Sequence, residues 1–302
     1  MSLFANLQRK IGQRLDQIFS VIQKKIFPIA KIPDFDGDCR FALLTVNFST
    51  THFLKLMLLT LCQQNNLQKI TRIVIVDNDS RDGGLDFLRN LSKSISRIEL
   101  VENRWIRTHA RGLRKGIYHL NKLESSLEKQ LQSNVLMICD TDIIFRNSDT
   151  ITELAEIFNS KKYAFAGELR YSSNICPQAQ ASFLCLRRDI YNHKEISPIV
   201  NHGSPAYPMQ KSLWENKYQL YDFRSNSGGY ILHRGRSGVA AAGKHYSTSS
   251  YSSEKNNKPH FMAVENGEQI WKDAENQFAE LLLPENESEL IKYLKKENQI
   301  YH

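Results

Sequence analysis

The 302-residue chain has no run of 18 apolar residues, so no segment reads as a membrane-spanning helix. Its longest mainly apolar runs, 41–46 and 135–139, are the size of strands. The N-terminus has no compact apolar leader, so a secretory signal is not expected. The five cysteines (39, 62, 139, 176 and 185) are odd in number, widely spaced and lack zinc-ligand spacing. That argues against a disulfide framework and for a reduced, cytoplasmic compartment. No strand-like segment is followed by Gly-x-Gly-x-x-Gly or by a Walker A loop, which excludes ordinary dinucleotide enzymes and P-loop NTPases. Helix-turn-helix, zinc-finger and aromatic RNA-binding motifs are also missing, so nucleic acid is not an expected partner. Acidic residues are in deficit: 32 Asp and Glu against 40 Lys and Arg give a formal charge of +8. An anionic membrane surface or a small anionic substrate would account for it. With 41% hydrophobic and 24% charged residues, the composition is that of a folded globular chain.

Residues 1–33 stand apart. Leu3, Leu7, Ile11, Leu15, Ile18, Ile22 and Ile26 recur at helical steps, and Arg9, Lys10, Arg14, Lys24 and Lys25 face a single acid, Asp16. Such an amphipathic helix suits peripheral attachment to the inner face of a membrane, docking on the protein body, or a homodimer contact. From residue 40 onward strands and helices alternate. Apolar runs at 41–47, 73–76, 98–101 and 135–139 read as strands. Helical stripes lie between them, at Leu54–Leu61, Leu85–Leu91 and Leu113–Leu131. Thr150-Ile-Thr-Glu153 reads as a capping box opening a further helix. This order predicts an α/β fold with a mostly parallel, Rossmann-like central sheet flanked by helices. Beyond residue 165 the pattern weakens. Strands are expected at 182–188 and 230–233, a mobile polar loop at 246–257, and C-terminal helices at 269–282 and 288–296. The expected organisation is an N-terminal helix over 1–33, a catalytic domain over 40–240 split at 145/146, and a loop with helices over 241–302 packed on that domain.

In sheets of this kind ligands bind beyond the carboxyl ends of the strands. Two such ends carry acids, Asp77 with Asp79 and Asp140 with Asp142. In extended backbone residues i and i+2 point the same way, so Asp140 and Asp142 can face one ion. Hard oxygen donors in small number suit Mg²⁺ or Mn²⁺, which would also hold a diphosphate. A helix cap or turn is the alternative for the pair. Asp77 is placed to accept a bond from a base N–H or a ribose hydroxyl. Thr45 and Asn47, at the neighbouring strand end, are candidates to line the base pocket, the alternatives being an ordinary strand residue and a helix cap. Arg111, near a helix start, would meet a diphosphate with its charge and the helix dipole, or form part of a solvated face with Arg107, Arg114 and Lys115.

These motifs in this order resemble nucleotide-sugar glycosyltransferases of the GT-A fold, of the family 2 type, over roughly residues 40–240. The residues carrying the resemblance are Leu44-Thr-Val-Asn47, Val76-Asp-Asn-Asp-Ser80, Asn103 through Ile117, Asp140-Thr-Asp142 and Ile231-Leu-His-Arg-Gly235. The resemblance implies a GT-A fold, a metal site of Asp140, Asp142 and His233, and a donor site including Thr45, Asn47, Asp77, Asp79, Arg111 and Asp140. It also implies a nucleotide-sugar donor, UDP-linked by expectation, and an acceptor hydroxyl on a glycan, lipid-linked or small molecule. Inverting members carry a Glu-Asp pair before the last strand. Here the matching stretch is Asn201-His-Gly-Ser-Pro205, with no carboxylate. The candidate base is therefore His202, with Glu168 and Asp222 as alternatives, and inversion is expected on the resemblance alone. His109 and His245 are lesser metal candidates. Two rival functions are a nucleotidyltransferase, disfavoured because 47–53 has no glycine, and a non-catalytic membrane-associated scaffold.

Overall fold

The structure is a computed structural model. It describes residues 35–105, 108–172, 175–201, 204–246 and 258–299, together with Arg14, Leu15, Ile18, Ser20 and Ile22. Most of the expected N-terminal stripe and the 247–257 loop lie outside the described residues. The five described N-terminal residues are helical, and Leu15, Ile18 and Ile22 are exposed.

Strands and helices alternate from Phe41. The first half runs β1 (Phe41–Asn47), α1 (Thr51–Leu61), β2 (Ile70–Asp77), α2 (Leu85–Ser94), β3 (Ile98–Glu102), α3 (His109–Glu124), β4 (Val135–Cys139), β5 (Ile143–Phe145) and α4 (Thr150–Asn159). Then follow β6 (Phe165–Gly167), β7 (Arg170–Ser172), β8 (Ile175–Gln178), β9 (Phe183–Arg187), α5 (Arg188–Tyr191) and α6 (Tyr207–Glu215). The chain continues through β10 (Leu220–Asp222), β11 (Ile231–His233), α7 (Ser237–Tyr246), α8 (Gly267–Gln277), α9 (Ala279–Leu282) and α10 (Glu287–Gln299). The central sheet has seven strands in the order β10-β6-β9-β4-β1-β2-β3. Only β9 runs against its neighbours β4 and β6; the other pairings are parallel. The sheet is therefore mostly parallel, as the strand–helix alternation implied.

Both faces of the sheet are covered, so the central strands are apolar on both sides. In β1, Phe41 and Leu43 pack with Leu54 and Leu58 of α1, Phe87 and Leu91 of α2, Phe158 of α4, and Leu290 and Leu294 of α10. Ala42 and Leu44 face the other way, onto Leu113, Ile117 and Leu120 of α3 and Met209 and Leu213 of α6. Each buried leucine contributes about 1.5–3 kcal/mol. The α3 contact is close because Gly112 and Gly116 lie one turn apart against the sheet. A Cβ on Gly116 would stand 2.3 Å from Leu44 Cδ1, and one on Gly112 would stand 2.9 Å from Val46 Cγ1.

Three elements differ from the sequence expectation. The stripe through Leu131 is not one helix: α3 stops at Glu124, and Leu131 is exposed in a separate turn. Glu124 turns inward, accepting from Ser133 N at 3.1 Å and pairing with buried Arg188. The capping box does not form, because Thr150 is already the first residue of α4 and its hydroxyl donates to Asn147 O at 2.7 Å. The C-terminal stretch 269–282 is two helices, broken at Phe278.

Candidate active site

Asp140 leaves the carboxyl end of β4, its amide donating to Ser182 O at 2.8 Å in the neighbouring turn. Two residues on, Asp142 immediately precedes β5. That strand pairs antiparallel with β11, so His233 stands opposite Ile143. Arg234 N donates to Asp142 O at 2.9 Å, continuing the pairing. This small sheet brings together residues 91 positions apart in the chain. His233 Nε2 lies 3.2 Å from Asp142 Oδ1 and 3.7 Å from Asp140 Oδ2. One ligand atom from each of Asp140, Asp142 and His233 falls within 4.8 Å of the others, the only such group of three among the described residues. His109, the first residue of α3, adds Nε2 at 3.6 Å from Asp140 Oδ1.

Charge is concentrated here. Burial pushes Asp142 up, but the His233 charge and hydrogen bonds from His233 and Ser237 overcome it and hold its pKa at about 2. Burial dominates for Asp140 and raises its pKa, against the pull of His109 and His233. Burial lowers His233, yet the two carboxylates outweigh it and leave its pKa raised. Two carboxylates this close with one shared imidazole are short of positive charge. Two oxygen donors and a histidine nitrogen form a donor set suited to Mn²⁺ or Mg²⁺.

The cluster floors a cavity of about 680 Å³. Val46, Phe48, Asn78, Thr108, Asn201 and Arg236 are among its walls. Two helices of ten residues or more begin at its edge. Thr108 Oγ1 caps α3 by accepting from Arg111 N, and Ser237 N at the start of α7 donates to Asp142 Oδ2 at 3.3 Å. Helix N-termini carry partial positive charge, so both suit an anion held in the cavity.

The other expected site residues are placed as follows. Thr45 and Asn47 point to the opposite face of β1 from Val46, and the cavity wall is made by Val46 and Phe48 instead. Thr45 is fully buried, and Asn47 accepts from Thr50 N at 3.3 Å and donates to Asp77 Oδ1 at 3.0 Å. The reason is strand parity, which a strand apolar on both faces does not reveal. Asp77 is buried behind the wall, tied to Asn47 and to Ser80 N at 3.1 Å; its neighbour Asn78 lines the cavity. Asp79 is half-buried in a left-handed turn, φ 61°. Arg111 is half-buried on α3 and is not part of the wall. Arg114 instead donates to Ile199 O at 2.8 Å, and Lys115 to Glu102 O at 2.6 Å. Glu168 accepts four hydrogen bonds from the 225–227 turn, and Asp222 accepts from Leu169 N at 2.8 Å. His202 and the His245 side chain lie outside the described residues, although Asn201 lines the cavity. Sequence reasoning passed over Arg236, Ser237 and Gly238. Their signal was a short strand followed by Gly235-Arg-Ser-Gly238 and an alanine-rich helix.

The chain is similar over most of its length to several solved structures, all at low identity. One is the mannosyltransferase PcManGT from Pyrobaculum calidifontis in complex with GDP-Man and Mn²⁺: 12% identity, 98% of this chain and 96% of that one, TM-score 0.46. A second is S. aureus TarS 1–349: 12% identity, 87% and 89% covered, TM-score 0.40. A third is GalNAc-T7 with UDP, GalNAc and Mn²⁺: 7% identity, 73% and 51% covered, TM-score 0.43. No curated protein matches the sequence. Residues 45–183, from β1 through Asp140 and Asp142 into β9, match the family model Glycosyl transferase family 2.

Proposed function

We propose that this protein is a metal-dependent glycosyltransferase that moves a sugar from a nucleoside-diphosphate donor, UDP-linked by preference, to an acceptor hydroxyl with inversion. The observation that carries the reading is the convergence of Asp140, Asp142 and His233 within 4.8 Å at the carboxyl end of the sheet, on the floor of an open cavity. Asp140, Asp142 and His233 would hold a divalent ion, Mn²⁺ or Mg²⁺, which when bound neutralises charge on the departing diphosphate. The N-termini of α3 and α7 and the Arg236 side chain supply further positive potential to the same phosphates. Val46, Phe48 and Asn78 form the wall against which the nucleoside rests, Asn78 offering an amide to the base or ribose.

His202 is the proposed base. It follows Asn201, a wall residue, and an imidazole titrates near neutrality, where a base for a sugar hydroxyl works best. Glu168 and Asp222 are already occupied by backbone donors. The basic, amphipathic 1–33 segment is proposed to bring the enzyme to an anionic surface where a lipid-linked acceptor resides.

The test is a panel of UDP-, GDP-, CDP- and dTDP-sugars with Mn²⁺, followed by release of the nucleoside diphosphate and by the anomeric configuration of the product. Metal-dependent turnover of a UDP-sugar with inversion is expected. Turnover that persists after chelation would overturn the metal role, and retention of configuration would overturn the base assignment. His202→Ala should lower turnover roughly 10²–10⁴-fold and remove the acidic limb of the pH–rate profile.

A further inference from the structure

Metal-ligating histidines are usually aimed by a hydrogen bond from their second ring nitrogen. His233 has none: its Nδ1 is buried without a hydrogen-bond partner among the described residues. With that nitrogen unheld, the backbone that carries the ring takes a share of the aiming. One side of that backbone is fixed by pairing with Ile143. The other is fixed by Asn226, whose Oδ1 accepts from His233 N at 2.9 Å.

Asn226 is in turn gripped by Glu168. Glu168 Oε2 accepts from Asn226 N at 2.6 Å, from Asn226 Nδ2 at 3.3 Å and from Ser225 Oγ at 3.3 Å. Oε1 accepts from Ser227 N at 3.3 Å. The same turn closes on itself and on β11, with Gly229 N donating to Asn226 O at 3.0 Å and Ile231 N to Ser225 O at 2.9 Å. One carboxylate thus organises the whole turn, and a single amide side chain transmits the result to the proposed ligand. Glu168 sits just past β6, a parallel strand, so it reaches the turn from the same end of the sheet as Asp140.

We infer that Glu168 is a positioning residue for the metal site, acting through Asn226 on His233, and is not the base. The inference rests on the metal-site reading above. A carboxylate that accepts four hydrogen bonds has little capacity left to take a proton from an acceptor hydroxyl. Burial raises its pKa, but the turn's donors outweigh that and lower it, which agrees with a fixed anion.

The test uses the full chain, two variants of the supporting residues and Asp140→Asn as a control. Glu168→Gln keeps the volume but turns one acceptor into a donor facing N–H groups. Asn226→Ala leaves the backbone bonds to Glu168 in place and removes the acceptor for His233 N together with the weaker Nδ2 bonds to Glu168 and Ser225. Mn²⁺ binding to the metal-free protein is read by the electron paramagnetic resonance signal of free Mn²⁺, and folding by melting temperature. Both variants should bind Mn²⁺ roughly 10–100-fold more weakly. At saturating Mn²⁺ their turnover should stay close to wild type, with the same pH profile. Unchanged Mn²⁺ binding in either folded variant would overturn the inference. So would a turnover loss of 100-fold or more at saturating Mn²⁺ with the acidic limb gone, because that is the behaviour of a base. If the wild type does not bind Mn²⁺, or Asp140→Asn binds it at wild-type strength, the metal-site reading fails instead. That result is distinct from the variants failing to differ.

Discussion

The half of the molecule before Phe145 and the half after it are held by different forces. In the first, β1 and β2 are seven and eight residues long, nearly all buried, and the helices between them pack through leucine and isoleucine. In the second, β6, β10 and β11 have three residues each, and polar side chains do much of the joining. Gln210 bonds both the amide and the carbonyl of Ala179, Asp222 holds Leu169 N, and Glu168 holds the 225–227 turn. The proposed ion site straddles the two. Its carboxylates come from the end of a long apolar strand, and its histidine from a three-residue strand held by an asparagine. Apolar burial is non-directional and tolerates drift, whereas hydrogen bonds fix positions one atom at a time. The histidine of the site is the ligand held by the directional force.

The largest effect on this division comes from removing the residue where the halves meet. Asp142→Ala should drop metal-dependent turnover by roughly 10²–10³-fold or more, the scale of losing a main electrostatic contact in a site. The first half's core does not depend on Asp142, so the melting temperature should stay within a few degrees. Turnover and melting are measured on the same sample. A folded variant with full activity would show that the carboxylate only caps α7 through Ser237.

The next effect falls on a buried ion pair that ties the halves at their far end. Arg188, just after β9, pairs with Glu124 at the end of α3, donates to Ser133 O at 2.6 Å and reaches Asn121 Oδ1 at 2.8 Å. Arg188→Ala would leave Glu124 charged, buried and unpaired, at a cost of about 3–5 kcal/mol. Denaturant unfolding should show it as a lower midpoint. Wild-type stability in the variant would mean that water or a protonated Glu124 replaces the arginine without penalty.

What was legible in the sequence follows the same division. Strands β1 to β4, the helices between them and the Asp140–Asp142 pair were visible because burial leaves long apolar runs and a carboxylate spacing of two. His233 was visible only through the family pattern. Its supports were not visible at all: a glutamate after β6 and an asparagine 58 positions later have no shared periodicity. The face of β1 that meets the cavity was not legible for a related reason. Thr45, Val46 and Asn47 all lie in a strand covered on both sides, so hydrophobicity does not say which way each points. Arg188 read as the end of a strand, since nothing local marks it as the partner of Glu124, 64 residues earlier. His202 lies outside the described residues.

A smaller effect probes how tightly the apolar half is packed. Gly116→Ala places a Cβ 2.3 Å from Leu44 Cδ1 and 2.9 Å from Val76 Cγ2, both in the core. Alanine favours helix over glycine by about 1 kcal/mol. Overpacking costs about 1–3 kcal/mol. The net expectation is a loss of about 1 kcal/mol and a melting point a few degrees lower, with Mn²⁺ affinity unchanged because His233 is anchored elsewhere. A gain in stability would show that α3 can move off the sheet, and that its N-terminus at the cavity is not rigidly placed.

The smallest effect is the pH dependence of metal-free stability, and it reports on the junction itself. His233 has a raised pKa: burial opposes the charge, but Asp142 and Asp140 favour it more. A raised folded pKa means stability that is fully present below the ordinary histidine value of about 6.5 and lost as pH rises through the folded value. His260 stands edge-on to His233, ring centroids 5.7 Å apart, and its pKa is lowered by burial and then by the charges on His233 and Arg236. Its sign is opposite: stability falls as pH drops from about 6.5 through its depressed folded value. Asp142, held at about 2 despite its burial, keeps its contribution everywhere above the ordinary carboxylate range of about 4 and loses it only towards pH 2. Asp140 is raised, by burial first, so its contribution is present below the ordinary carboxylate value of about 4 and is lost as pH rises through its folded value. His109 faces Asp140 from α3 and belongs to the same cluster. The metal-free protein should therefore melt highest near about pH 6.5 and lose a few degrees on either side. His233→Gln should flatten the alkaline side alone, and His260→Gln the acidic side below about pH 6.5. Saturating Mn²⁺ should move the maximum upward, because a ligating imidazole must be neutral. An alkaline slope that survives in His233→Gln would place its origin outside the junction between the halves.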